Sequence, residues 1–275
     1  MTPHKAGITP RQEDIPSTID AQFVPGFTWT RQPQLRIVGD FADHKLWLGF
    51  SLESPQAVFS VGPNGTGPLA GTPNYQNPGS TFLDPNTDYS HDIAPDVVAK
   101  IAWDPGFGHY EAFGLLRFLH DRVSVVGDGH NNTAVTGGGG VSAVIPILGK
   151  TLEFHGNLLA GYGIGRYGTS QLPDATLSRS GAPVPLPEIE ALAGLVAHPA
   201  REVDLYAYAG TEQVGRRSFA EGGKGYGYGS PLYVNTGCFV ELSAAPCQAN
   251  TSGIVLRVPV QAEREFWWIV NTDSV

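Results

Sequence analysis

PDVVAKIAWDPGFGHYEAFGLLRFLHDR, residues Pro95–Arg122, consists of two alternating segments on either side of a tight turn. In Asp104-Pro105-Gly106-Phe107-Gly108 the proline presets φ and the glycines admit positive φ. Before the turn, Val97, Ala99, Ile101 and Trp103 share one face and Lys100 lies on the other. After it, Tyr110, Ala112, Gly114, Leu116 and Phe118 are all apolar or small. The opposite face, His109, Glu111, Phe113, Leu115, Arg117, Leu119 and Asp121, mixes charges with apolar groups. A period of two on both sides of a turn predicts a β-hairpin rather than a helix. The fold turns on whether the apolar face touches a protein core or lipid.

The same two-faced pattern recurs along the chain. Leu46, Leu48, Phe50 and Leu52 oppose Trp47, Gly49, Ser51 and Glu53, and Leu35, Ile37, Gly39 and Phe41 oppose Arg36, Val38 and Asp40. Farther on, Val141, Ala143, Ile145 and Ile147 share a face. Leu152, Phe154, Gly156, Leu158, Ala160, Tyr162 and Ile164 do the same, opposite Glu153, His155, Asn157, Leu159, Gly161 and Gly163. Glu188, Glu190, Leu192, Gly194, Val196 and His198 form one more mixed face, and Glu202, Asp204, Tyr206, Tyr208 and Gly210 another.

Connections are expected to alternate strictly between short and long. The short turns fall at Ala42-Asp43-His44, Asp104–Gly108, Gly149-Lys150 and Pro199-Ala200. The long connections are Ser54–Ala94, a polar loop around Gly127–Asn132, Tyr167 to about Pro187, and a glycine-rich stretch from Gly225 to Cys238. Strands of about ten residues with short turns at one end and long loops at the other predict an all-β, antiparallel transmembrane β-barrel. Residues 1–33 read as an irregular lead-in, 34–250 as porin-like strands and loops, and 251–275 as a C-terminal segment with no assigned element. Small Gly and Ala beside Leu and Ile on the apolar faces suit lipid better than a densely packed core. Trp103, Phe107 and Tyr110 at one short turn suit an interfacial aromatic girdle.

Composition agrees. Charged residues are 16% of the chain, below the roughly 25% usual in soluble domains. No apolar run reaches the ~18 residues of a spanning helix, and a mean hydropathy of −0.11 is what alternating lipid-facing and lumen-facing residues average to. A net charge of −9 disfavours nucleic acid as a partner, because phosphates demand a basic footprint. The N-terminus lacks the apolar core of a signal peptide.

Pro95-Asp96-Val97-Val98-Ala99-Lys100 followed by Asp104–Glu111 resembles Gram-negative outer-membrane porins, more narrowly the trimeric, dicarboxylate-type, DcaP-like and acidobacterial family. Gln32–Arg36, Leu46–Gln56 and Tyr228–Tyr233 resemble strands of the same family. The resemblance spans roughly residues 22–250 and implies a barrel of about sixteen strands. Only about eight or nine strand signals are present, so an incomplete barrel and a partial sequence are expected. It also implies location in the outer membrane, lipid as partner, a homotrimer if the full barrel forms, and passive diffusion of small, anionic solutes.

In such a barrel the site is a lumen wall. Arg36, Asp40, Lys100, Glu111, Arg117, Glu153, His155, Glu188, Glu190, Glu202 and Asp204 are the expected lining, with Arg36, Lys100 and Arg117 either a basic strip attracting anionic solutes or ordinary lumen charges each paired with a neighbouring carboxylate. In a soluble β-protein the same residues are simply a solvated face. That is the alternative: an extracellular β-sandwich binding module, for carbohydrate, using Tyr206, Tyr208, Tyr226 and Tyr228. Cys238 and Cys247 form a candidate disulfide, with free thiols the competing reading. No cofactor, metal or enzymatic activity is expected. Asp84–Asp88 opens like a calcium loop but has Tyr89 where glycine belongs and Pro95 where the closing Glu belongs. Glu188 and Glu190 as a glycosidase pair have nothing beyond a shared strand face to support them.

Overall fold

The computed structural model describes residues 24–75 except 29, 31, 62, 63, 68 and 70, residues 89–230 except 91, 150, 201 and 202, and residues 232, 271 and 272. Strands β1 (Gln34–Phe41) and β2 (Leu46–Glu53) precede a long segment bearing the short strands β3 (Ala57–Val58), β4 (Thr72–Asn74) and β5 (Tyr89–Ser90). Four long strands follow: β6 (Asp96–Trp103), β7 (His109–Val125), β8 (Asp128–Pro146) and β9 (Leu152–Tyr162). A loop holding a 3₁₀ turn at Gly165–Tyr167 and the pair β10 (Ala175–Leu177) and β11 (Pro183–Pro185) leads to β12 (Pro187–Ala200) and β13 (Val203–Val214). β14 (Arg217–Glu221), β15 (Lys224–Tyr228) and β16 (Asn271–Thr272) complete the order.

The main sheet runs β1-β2-β6-β7-β8-β9-β12-β13-β16, with β4 added beside β7. Each of its long strands pairs antiparallel with the next long strand in the chain, an up-and-down meander. Among the described residues β1 and the far end of the sheet are not paired to each other, so the sheet is open, as expected of an incomplete barrel.

Register converts the alternation into two continuous faces. Leu48, Ile101, Ala112, Val141, Leu158 and Ala191 form one row across the sheet. On the opposite face Gly49, Lys100, Phe113, Gly140, Leu159, Glu190 and Glu212 form another. Burial is inverted relative to a water-soluble protein. Leu48, Phe50, Ile101, Trp103, Leu116, Val141, Leu158, Ile189 and Leu195 are exposed, whereas Lys100, Glu111, Arg117, Glu188, Glu190 and Glu212 are buried. Soluble folds almost never leave Lys, Arg or Glu inside and their aliphatics outside in this systematic way.

The structure departs from the sequence reading in three places. The stretch Gly127–Asn132 is not a loop: only Val126 and Gly127 separate β7 from β8, which extend to 17 and 19 residues. The connection at that end is therefore a protruding β-ribbon, and the alternation of short and long connections is broken there. The second long loop begins at Gly163 rather than Tyr167, because Gly163 takes φ +64° and turns the chain inward. Ile164 is consequently fully buried instead of lying on the apolar face with Tyr162. The described residues of the lead-in, 24–28, 30, 32 and 33, lie across the charged face of the sheet.

That crossing marks the inner side of the sheet. Gly26 is bonded to Glu212 on β13, and Gln32 to Glu53 on β2. The charged face, covered by this segment and by the Gly163–Leu186 loop, is the face that a barrel turns inward, and it is called the concave face below.

Candidate functional site: the charged concave face

Among the described residues, eight carboxylates, Glu53, Asp96, Glu111, Asp121, Asp174, Glu188, Glu190 and Glu212, are buried with three Lys or Arg side chains, Lys100, Arg117 and Arg166. Most project from strand positions of the mixed parity, so the alternation itself delivers them to one side.

Arg117 on β7 is the hub, at 0% exposure. Its Nε donates to Asp96 Oδ2 at 3.1 Å, and its Nη1 donates to Asp174 Oδ1 and to the Gly163 carbonyl, both at 2.6 Å. Nη2 donates to the Gln56 carbonyl, and the guanidinium lies 5.2 Å from the Tyr167 ring centroid. One strand residue thereby ties down β6 and both inward-folded long segments. Asp174 completes the knot: its Oδ2 accepts from Val58 N at 2.8 Å and its Oδ1 from Arg166 N at 3.1 Å. Tyr167 donates to Asp96 Oδ2 at 2.8 Å. Arg166 donates from Nη1 to Gln32 Oε1 at 2.6 Å and from Nη2 to Gln56 Oε1.

Electrostatics in this knot follow burial first. Burial, with Arg117 next to it, pulls the Arg166 guanidinium below its ordinary value. The buried Tyr167 hydroxyl is pushed well above its own, with Asp96 adding to the effect. Burial also raises the Asp92 carboxyl to about 7, Arg117 opposing and Asp96 and Asp174 reinforcing.

Toward the short turns lies a second network. Lys100 Nζ is 2.5 Å from Glu111 Oε2, which also accepts from Ser142 Oγ at 3.1 Å. Glu111 Oε1 is 3.3 Å from His109 Nε2, and His109 Nδ1 is 2.5 Å from Asp104 Oδ1. At the rim, His155 Nδ1 lies 3.2 Å from Tyr208 Oη, and His198 Nδ1 2.6 Å from Asp204 Oδ1. Glu153 Oε2 lies between the two histidines, 3.6 Å from His155 Nε2 and 3.8 Å from His198 Nε2. Among the described residues no group of three or more His, Cys, Asp or Glu is arranged to hold a metal ion.

The expected lining residues therefore separate into groups. Lys100, Glu111, Arg117, His155, Glu188 and Glu190 are buried on the concave face, while Glu153 and Asp204 sit at its rim. Arg36 and Asp40 share that parity by register but are exposed on the edge strand β1, Asp40 beside His44. Glu202, Cys238 and Cys247 lie outside the described residues, as does the Asp84–Asp88 loop. A basic strip of Arg36, Lys100 and Arg117 does not form. Lys100 and Arg117 are neutralised by their own carboxylates, and the surplus on this face is acidic.

Sequence reasoning missed Glu53, Asp96, Asp174, Glu212, Arg166 and Tyr167. Glu53, Asp96 and Glu212 carry the right parity for the concave face, and extending the alternation to the strand ends finds them. Asp174, Arg166 and Tyr167 come from an inward loop that carries no periodicity. A depression of about 350 Å³ between Val135, Gly137, Tyr162, Pro185 and Arg217 contains none of the buried carboxylates. On the concave face, the gap between Ser142, His155, Asn157, Leu192 and Tyr208 is about 10 Å³, barely one water molecule.

No protein-family model and no curated protein matches this sequence. Among solved structures, the outer membrane channel DcaP of Acinetobacter baumannii is similar at 13% identity and a TM-score of 0.45, over 74% of this chain and 62% of that one. The chain thus spans about 62% of the length of that channel, and a likeness at this level adds nothing to what the geometry supports.

Proposed function

We propose that this chain is part of an outer-membrane β-barrel channel for the passive diffusion of small solutes, and not an enzyme. The inverted burial carries the reading: an exposed aliphatic face and a buried charged face on one antiparallel sheet. In water such an exposed face is a severe liability, whereas in a bilayer it is the required exterior of a barrel, with a polar interior. Trp103, Phe107 and Tyr110 support it by packing ring to ring at the Asp104–Gly108 turn, with centroids 5.7–5.9 Å apart. That is the amphipathic cluster an interface favours. On this reading the short turns face the periplasm and the long loops the exterior, lipid is the main partner, and copies of the closed barrel associate as trimers.

The solute class follows from charge. The buried carboxylate surplus favours cations over the anionic solutes that the family resemblance implied. Reconstituted into planar bilayers across a KCl gradient, the complete barrel that contains this chain should give conductance steps with a reversal potential of cation sign. An anion sign contradicts the charge assignment, and the absence of steps contradicts the channel. The soluble β-sandwich alternative requires a second sheet on the aliphatic face, which is exposed among the described residues.

A further inference from the structure

The lead-in segment that crosses the concave face belongs to no strand, yet Gly26, Phe27, Thr28 and Thr30 are all buried. Its contacts are made by residues that a barrel would otherwise present to its lumen. Gly26 N donates to Glu212 Oε1 at 2.9 Å, and Asn157 Nδ2 donates to the Gly26 carbonyl at 2.6 Å. Thr28 Oγ1 donates to Glu190 Oε2 at 3.1 Å, and Gln32 Nε2 donates to Glu53 Oε2 at 2.5 Å. Thr169, from the inward loop, closes over it by donating to the Val24 and Phe27 carbonyls at 3.1 and 3.0 Å.

The fit is at backbone contact. A Cβ at Gly26 would lie 1.9 Å from the Ala191 carbonyl oxygen, and one at Gly210 would lie 1.8 Å from the Pro25 carbonyl oxygen. Gly26 also has φ +75°, a conformation that costs an L-residue about 1–2 kcal/mol. Glycine on the strap and glycine on β13 thus permit one seated position with no room between strap and sheet.

We propose that residues Val24–Thr28, with Thr30 and Gln32, are an internal plug that occludes the channel and must leave the concave face before solutes pass freely. The proposal rests on the channel reading above. What holds the plug in place suits reversible seating. Apart from Phe27, its anchors are hydrogen bonds to Glu190, Glu212, Asn157, Glu53, Arg166, Tyr167 and Thr169, polar groups that water can solvate once the strap departs. The inward loop is fixed differently: Gly163 N donates to the Leu186 carbonyl at 2.8 Å, and Arg117 and Asp174 bind its middle. It stays as lining while the strap is the removable part.

The test compares the complete barrel that contains this chain, its Gly26→Val variant and a variant lacking residues 1–32 in planar bilayers, with far-ultraviolet circular dichroism confirming equal strand content. Gly26→Val collides with the β12 backbone and leaves every lining side chain intact; should it fail to fold, the truncated chain decides. The native chain should give small conductance steps and both altered chains steps several-fold larger, with protease cleavage within residues 24–32 appearing only in Gly26→Val. Equal step size in all three overturns the plug while leaving the channel standing. Silence from all three, with native strand content in the bilayer, overturns the channel and the plug together.

Discussion

At the scale of single residues, Arg117 and Asp92 make opposite statements about burial. Arg117 is a buried cation whose partners, Asp96 and Asp174, are buried with it. Removing one member of such a set leaves uncompensated charge and typically costs about 3–5 kcal/mol. Arg117→Ala should therefore lower the unfolding free energy read from urea titrations in detergent micelles by an amount in that range, and Asp96→Asn with Asp174→Asn in the same background should recover part of the loss. Asp92, in the long segment before β6, is a carboxyl that the fold disfavours in its charged form. Its value rises from 3.8 to about 7 chiefly through burial, and its Oδ2 has no hydrogen-bond partner among the described residues. Between about pH 4 and 7 the unfolded chain has released this proton and the folded chain retains it, so stability falls as pH rises through that window. Asp92→Asn should raise stability at pH 7 by about 2–4 kcal/mol, and leave it unchanged at pH 3.5, as read from urea midpoints at the two pH values.

At the scale of strands and loops, the two faces were legible and the fillings were not. Period two in Pro95–Arg122 suffices to put Ile101 and Ala112 on one side and Lys100, Glu111 and Arg117 on the other, and register shows the same parity holding from β2 to β13. The β7–β8 ribbon escaped because its tip is written in Gly, Asp, His and Asn, residues that signal turns by composition although their backbone continues the ladder. The strap and the loop Gly163–Leu186 escaped for a deeper reason. Their contacts, such as Gly26 with Glu212 or Asp174 with Val58, are long-range and have no periodic trace. The strand reading makes a sharp prediction at Ile101, an exposed residue in a middle row of the aliphatic face. Ile101→Arg should cost about 2–4 kcal/mol if that face meets lipid, but stay within about 0.5 kcal/mol if it meets water. Folding titrations in phospholipid vesicles measure the difference.

For the whole molecule, the sheet is an open meander of eight long strands with, among the described residues, an unpaired edge at β1 and an inner face already occupied. The exposed Leu35 and Ile37, at 68% and 69%, mark the edge where further strands would continue. The sequence disclosed the sheet's polarity but not the crossing of its charged face, since that crossing rests on long-range bonds of the lead-in to β13 and β2. It also drew attention to Arg36, Lys100 and Arg117, whereas the buried side chains described include more carboxylates than cations. Positive strand residues catch the eye, whereas Glu53, Asp96 and Glu212 sit at strand ends and Asp174 in a loop. The claim beneath all of this is that the row Leu48, Ile101, Val141 and Leu158 faces lipid. Single cysteines at these positions, in a background with Cys238 and Cys247 replaced by serine, can carry nitroxide labels in phospholipid bilayers. The four labels should collide readily with dissolved oxygen and rarely with a water-soluble nickel complex, and a label at Gly49 on the concave face should show the weaker oxygen response. Free access of the nickel complex to Ile101 and Leu158 would contradict the account.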